Sequence, residues 1–178
     1  MKATSLGKLV PLDKCKVIIP GAGTITPRIL PELSDGKGAN YSDEPVMGRS
    51  FPLKTYSHSD NRAIGITFHF IAESSEQSGT NLKELRWIQS AVYPRDSVGD
   101  MPFVPPPVCT IQCGELFASG PLCAVLKNYS LKYPTNVPWD ETTYLPWQFD
   151  VETSWDVVYK VNSLPGAEKI VETGGYVT

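Results

Sequence analysis

The sequence predicts a mainly β domain of the α+β class, and three observations predict it. The 16 prolines and 14 glycines are spread through the chain and divide it into short segments. Several segments alternate apolar and polar residues in steps of two, which is the period of a strand with one buried face. A single segment has the spacing of three and four that marks an amphipathic helix.

The composition fits one folded domain and argues against two classes of partner. A chain of 178 residues that is 41% hydrophobic and 20% charged can bury a core. The net charge of −3 and the pI near 5.4 argue against a general nucleic-acid binder and against binding to an anionic membrane. The chain lacks the ~18 consecutive apolar residues of a membrane span. Residues 1–14 lack a signal-peptide core, so we expect folding in the compartment of synthesis.

Residues 1–60 are predicted to form an irregular N-terminal arm, and residues 61–178 to form the β domain. Within the arm, one short strand is expected over Cys15–Ile19, ended by Pro20. The stretch from Pro27 to Pro52 has few consecutive apolar residues and several turn-forming residues. A long ordered segment of this kind needs a surface to lie against, and we expect a neighbouring subunit to supply it.

The first clear elements of the β domain are a strand and a helix. Ala63–Ile71 alternates Ile and Phe with Gly, Thr and His, which predicts a strand with one apolar face. A helix is predicted from Asn81, as N-cap with Glu84 in a capping box, to the stop at Pro94. Its apolar stripe consists of Leu82, Leu85, Ile88 and Val92, widened by Trp87 and Ala91.

Three further strands are predicted in the C-terminal half, over Val108–Cys113, Leu122–Tyr133 and Gln148–Tyr159. In the second, the mostly apolar face is expected to hold Cys123, Val125, Lys127, Tyr129, Leu131 and Tyr133. In the third, Phe149, Val151, Thr153, Trp155 and Val157 point one way, and Asp150, Glu152 and Asp156 point the other. Twelve residues span about 40 Å at ~3.3 Å each, which suits the wall of a barrel or channel.

Patterns that could carry chemistry are present but weak, so we predict a protein that is not an enzyme and binds no cofactor or metal. Ser57-His58-Ser59-Asp60 has triad residue types but reads as a polar turn. Gly21-Ala22-Gly23 lacks the third glycine and the helix of a dinucleotide loop. Carboxylates on the last strand could serve a glycosidase, but a solvated strand face looks the same. The four cysteines, Cys15, Cys109, Cys113 and Cys123, are expected to be free thiols rather than disulfides or metal ligands.

Tryptophan is concentrated in the C-terminal third of the chain. Trp155 lies on the apolar face of the last predicted strand, where core packing explains it. Pro138, Trp139 and Trp147 lie in predicted loops and are candidate interface anchors. Exposed tryptophans could also stack on sugars, so a carbohydrate-binding β-sandwich stays an alternative.

Four segments together resemble the tube-initiator and baseplate-hub proteins of contractile-tailed bacteriophages. They are Asn81–Pro94 (NLKELRWIQSAVYP), Leu126–Tyr133 (LKNYSLKY), Asn136–Asp140 (NVPWD) and Tyr144–Val151 (YLPWQFDV). The resemblance runs from about Asn61 to the end of the chain. It implies a tail-tube-like β-sandwich or barrel with one packed helix.

The resemblance also implies a structural role without catalysis. Such a protein joins copies of itself into a hexameric ring, which encloses a channel for DNA in the tail tube or baseplate of the virion. Other baseplate, hub, tail-tube and sheath proteins would be its partners, and assembly would occur in the host bacterial cytoplasm. Asp150, Glu152 and Asp156 are then candidate lumen-facing residues, since carboxylates repel phosphate. A related contractile injection system is the nearest alternative.

Overall fold

A computed structural model of the chain describes residues 14–94, 104–114, 117, 121–141 and 143–159. The described residues form nine strands and one helix, so this part of the chain is mainly β, as the sequence predicts. The elements are β1 (Cys15–Ile19), β2 (Gly23–Ile25), β3 (Glu32–Gly36), β4 (Ala39–Glu44), β5 (Leu53–Ser59), β6 (Ala63–Ile71), α1 (Ser75–Ser90), β7 (Cys109–Cys113), β8 (Leu122–Lys132) and β9 (Gln148–Val157).

Seven of the strands form one antiparallel sheet in the order β2-β1-β7-β8-β9-β6-β3. Strand β9 pairs with β8 on one side and with β6 on the other, over the full length of β6. The remaining two strands, β4 and β5, form a separate hairpin between β3 and β6 in the chain.

The seven-stranded sheet is curled, and α1 lies between its approaching ends. In a flat sheet β2 and β6 would be five strand spacings apart, or roughly 24 Å. However, Thr26–Arg28, which follow β2, line the same cleft as Phe68–Ile71 of β6. The helix contacts both, since the Trp87 ring packs over Gly23 and the Asn81 amide donates to the carbonyl of Ile71 at 3.2 Å.

The core lies between the concave face of the sheet and α1, which contributes Leu85, Ile88 and Ala91. The five alternate residues of β9 from Phe149 to Val157 are all buried, which confirms the apolar face predicted for this strand. Thr153 belongs there because its hydroxyl donates to the carbonyl of Ile66 at 2.8 Å. The same hydroxyl accepts from the Trp155 indole at 2.8 Å, so both buried polar groups are satisfied.

The helix begins seven residues earlier than predicted, and Asn81 does not cap it. The N-cap is Ser74, whose hydroxyl accepts from the backbone N–H of Gln77. The Gln77 side chain in turn accepts from the backbone N–H of Glu73 at 2.8 Å, in a variant of the capping box. Asn81 is buried within the helix. The first two turns of α1 are polar, so the spacing of apolar residues alone predicts a start that is too late.

The predicted faces of the strand over Leu122–Tyr133 are wrong for its first half. The buried residues there are Leu122, Ala124 and Leu126, whereas Cys123 and Lys127 are exposed. A register shift between Leu126 and Asn128 inserts one residue, so that the alternation changes phase. Beyond this β-bulge, Tyr129 and Leu131 pack against the core, as expected.

The prediction of an irregular arm over residues 1–60 is also wrong for the described part. Residues 14–60 contain five strands, and β1, β2 and β3 belong to the same sheet as β6–β9. The sheet therefore combines strands from both sides of the boundary drawn at residue 60. Residues 1–13 of the predicted arm and residues 160–178 of the predicted domain lie outside the described residues.

Candidate functional site

The three predicted lumen-facing carboxylates lie on one face of β9, opposite the core. Asp150, Glu152 and Asp156 alternate with buried residues, and their side chains are 26%, 45% and 29% exposed. Residues opposite them on β6 and β8 point the same way, because paired residues of antiparallel strands share a face. We call this surface the polar face and define it by the outward residues of the three strands. They are Ala63, Gly65, Thr67, His69, Ile71, Val125, Lys127, Asn128, Ser130, Lys132, Gln148, Asp150, Glu152, Ser154 and Asp156.

Each carboxylate of the polar face lies beside a basic group on a neighbouring strand. Asp150 Oδ1 is 2.8 Å from His69 Nδ1, and Glu152 Oε1 is 2.5 Å from Lys132 Nζ. Asp156 Oδ2 is 3.6 Å from Lys127 Nζ. The hydrogen bond to Glu152 raises the pKa of Lys132 above its ordinary value, so this lysine stays charged.

These pairings change what the polar face can do. The alternation of β9 predicted an acidic row, but that row is interleaved with two lysines and a histidine. Paired charges and hydroxyls make a hydrated surface that carries much less negative potential than an unpaired row. Such a face offers phosphate neither a basic groove nor a strong repulsive strip.

The three predicted interface residues have different environments. Pro138 and Trp139 are exposed, and the Trp139 ring centroid lies 6.1 Å from that of Tyr133. Trp147 is only half-buried, and its backbone fastens the loop. Its N–H donates to Pro138 at 3.2 Å, and its carbonyl accepts from Ala72 at 2.8 Å. Pro138 and Trp139 are thus accessible on the surface, whereas the backbone of Trp147 holds their loop in place.

A second exposed feature, the β4–β5 hairpin, was missed by the sequence prediction. Every residue of both strands is exposed, so neither face shows the alternation that marks a half-buried strand. The apolar residues that it displays are Tyr41, Val46, Met47, Phe51, Leu53 and Tyr56. The available signal was a turn at Pro45–Gly48 between two segments that contain β-forming Tyr and Thr.

The triad-like residues lie at the end of this hairpin rather than in a turn. Ser57 Oγ is 3.1 Å from His58 Nδ1, and His58 Nε2 is 3.8 Å from Asp60 Oδ1. All three side chains are exposed to water. A hydrated histidine between a serine and a carboxylate lacks the water-excluded, preorganised surroundings on which nucleophilic catalysis depends.

Cys109 and Cys113 are both buried on the core side of β7 and do not form a tight metal-binding turn. Across the described ranges, no three His, Cys, Asp or Glu side chains are placed to hold a metal ion. Within those same ranges, no helix has the length and apolar character needed to cross a membrane.

Comparison with known proteins adds no relative to this picture. No protein-family model matches the chain, and no curated protein matches it.

Proposed function

We propose that this chain is a structural protein of a phage tail or baseplate, which forms or initiates a ring of the tail tube around a DNA channel. The observation that carries the proposal is the β4–β5 hairpin, which displays apolar side chains without covering them. A protein built to assemble needs such a surface, and the position of this one within the fold supports that use.

The hairpin has too few contacts of its own to account for its apolar residues. Tyr41 and Tyr56 pack edge to face at 5.7 Å, and Lys54 binds Asp43 at 2.7 Å. At the tip, Met47 is fully exposed and Phe51 is 67% exposed. A two-stranded hairpin is at best marginally stable in water, and several large apolar side chains exposed on one small element indicate an interaction site. Binding to another subunit would bury these side chains.

The hairpin is also positioned to reach a neighbour. It continues the β3–β6 pair beyond the edge of the large sheet, since the Asp60 N–H donates to Gly38 at 2.9 Å between the two ladders. From Gly38 to the tip, roughly eight residues at ~3.3 Å extend about 25 Å from the body. That reach spans the boundary to an adjacent subunit in a ring or in the next ring of a stack.

The polar face supplies the second part of the proposal, the wall of a channel. It lies on the long strands β6, β8 and β9, away from the core. Its middle carries hydroxyls and paired charges, and the apolar residues Ala63, Val125 and Ile71 lie at its two ends. DNA in passage must not be held, and a hydrated, nearly neutral wall satisfies that condition. In this arrangement Asp150, Glu152 and Asp156 face the lumen. Six copies of the chain form the ring, and the ring contacts other hub, baseplate, tube and sheath proteins of the virion.

The assembly state of the purified protein tests the proposal. We expect rings or stacks in negative-stain images and a matching large species by analytical ultracentrifugation. A double variant, Met47→Ser with Phe51→Ser, should shift the protein to monomer while its circular dichroism stays unchanged, because both side chains are exposed. The control is Leu30→Ser, which removes a 59% exposed leucine outside the hairpin and should leave assembly intact.

Two results would count against the proposal. The first is a protein that stays monomeric at high concentration and also when mixed with tail-tube or baseplate subunits encoded beside it. The second is a ring that forms equally well with the hairpin variant, which would assign the assembly surface elsewhere. Genes adjacent to this one separate a phage tail from a related contractile injection system, which shares the same physics.

A carbohydrate-binding β-sandwich is the second candidate, and the exposed aromatic pair of Tyr133 and Trp139 favours it. Their ring centroids are 6.1 Å apart, and Trp139 is 55% exposed. An exposed indole can stack on the apolar face of a sugar. A shift of tryptophan fluorescence on titration with oligosaccharides, lost in Trp139→Ala, would support this function in place of assembly.

A further inference from the structure

We propose that Cys15 and Cys113 form a reversible disulfide that fastens β1 to β7, a modification site independent of the function proposed above. The two residues are directly opposite each other in the antiparallel β1–β7 ladder, 98 residues apart in the chain. Both are buried against the core, and their sulfurs are in contact at 2.7 Å.

The backbone geometry at this pair suits a cross-strand disulfide. The Gly114 N–H donates to the carbonyl of Lys14 at 3.0 Å, which makes Lys14 and Gly114 a hydrogen-bonded pair. Hydrogen-bonded and non-hydrogen-bonded pairs alternate along an antiparallel ladder, so Cys15 and Cys113 form a non-hydrogen-bonded pair. The Cα atoms of such pairs are about 4.5 Å apart, within the range that a disulfide spans.

The surroundings determine how the pair reacts. Burial, together with the hydrogen bond between the two thiols, raises the pKa of Cys15 to about 12. The closed structure therefore contains very little thiolate, which is the reactive form. Cys15 is the first residue of β1, and the strand beyond β1 has only three residues. Opening at this end of the sheet is the route by which an oxidant reaches the thiol.

The reaction is a thiol–disulfide exchange with a low-molecular-weight disulfide as oxidant. One protein thiolate attacks that disulfide, forms a mixed disulfide and releases one small thiol. The second protein thiolate attacks the mixed disulfide, forms the Cys15–Cys113 bond and releases the second small thiol. The two electrons and two protons lost by the protein leave on the small thiols. In a reducing cytosol the pair stays reduced, and outside it the bond forms.

The other two cysteines provide the controls for a test. Cys123 is exposed on β8 and could link molecules to each other, so the parent for the experiment carries Cys123→Ser. Cys109 is buried on β7 like Cys113, and its thiol donates to the carbonyl of Pro107. Cys109→Ala therefore removes a buried thiol of the same strand without removing the proposed bond, whereas Cys15→Ala removes it.

Treatment of the folded parent with oxidised glutathione should yield one intramolecular bond, mapped by mass spectrometry to the peptides that contain Cys15 and Cys113. Closing a loop of this length should raise the melting temperature by about 10 °C, reversibly with reductant. The rise should persist in Cys109→Ala and disappear in Cys15→Ala. Thiols that stay unreacted in the parent, or a bond to Cys109 instead, would overturn the proposal. Mapping in the parent decides the matter even where Cys15→Ala does not fold.

Discussion

At the scale of single residues, the polar groups of the interior are all satisfied in the described part of the chain. No buried side-chain nitrogen or oxygen there lacks a hydrogen-bond partner. The relay from Trp155 through Thr153 to Ile66 shows how this is achieved, with one hydroxyl serving both a donor and an acceptor. A fully satisfied polar pair in the core favours one packing arrangement over others.

Glu84 is the residue at which burial and charge conflict. It lies on α1 beside the cleft between β2 and β6, and burial raises the pKa of its carboxyl above the ordinary value, partly offset by Arg28. The folded protein thus holds this proton to a higher pH than the unfolded chain does. Its contribution to stability falls as pH rises from the ordinary pKa through the folded one.

Replacing Glu84 by Gln should therefore stabilise the protein at neutral pH, since the cost of burying a charge is removed. The gain should shrink toward about pH 3, which lies well below the ordinary carboxyl pKa, so that the carboxyl is protonated in both states. Urea unfolding at the two pH values measures the difference. Glu44→Gln, on the exposed hairpin, is the control and should change little. A loss of stability in Glu84→Gln at neutral pH would mean that the attraction to Arg28 outweighs burial.

At the scale of elements, the start of α1 depends on one side chain. Ser74 accepts from Gln77 and is the N-cap of the helix. Ser74→Ala should lower the free energy of unfolding by about 1 kcal/mol, because a backbone N–H loses its partner. Ser74→Asp should retain the stability, since a carboxylate caps equally well and favours the helix dipole. Chemical denaturation of the three proteins measures this, and equal stability of the alanine variant would contradict the assignment of the cap.

Long strands with one buried face could be predicted from the sequence, whereas the three-residue β2 and the strands with two exposed faces could not. β6 and β9 were predicted because their alternation records which side meets the core. β4 and β5 were missed because both of their faces meet water. The phase change at Lys127 was also missed, since the bulge depends on pairing with β9 rather than on local spacing.

The polar face likewise has features that could be predicted from the sequence and features that could not. The shared face of Asp150, Glu152 and Asp156 follows from a period of two and was predictable. Their partners His69, Lys132 and Lys127 come from other strands, and which residues stand opposite depends on register. Register results from tertiary pairing, so the neutralisation of the acidic row could not be derived from one strand.

At the scale of the whole molecule, the curled sheet and the hairpin are energetically separate. No residue of β4 or β5 is buried, whereas every second residue of β6 and β9 is buried in the core. Gly38 and Asp60 lie opposite each other at the base of the hairpin. The body of the protein should therefore fold without the hairpin.

Replacement of residues 39–59 by an Asn-Gly turn should leave the melting temperature within a few degrees of the parent, because no buried apolar area is lost. Circular dichroism through a thermal scan measures it. An equal-length replacement of the same residues by Gly and Ser is the control for loop length. A body that no longer unfolds cooperatively would show that the hairpin belongs to the folding unit.

The continuity of the hairpin with β6 has a mechanical consequence. A pull on the hairpin tip is transmitted along β5 into β6, whose nine residues pair with β9 from Ala63 to Ile71. Because the force runs parallel to these strands, it loads the row of hydrogen bonds in shear and divides among them, instead of peeling them apart one at a time. A hairpin anchored in this way can carry tension while the body to which it is attached stays intact.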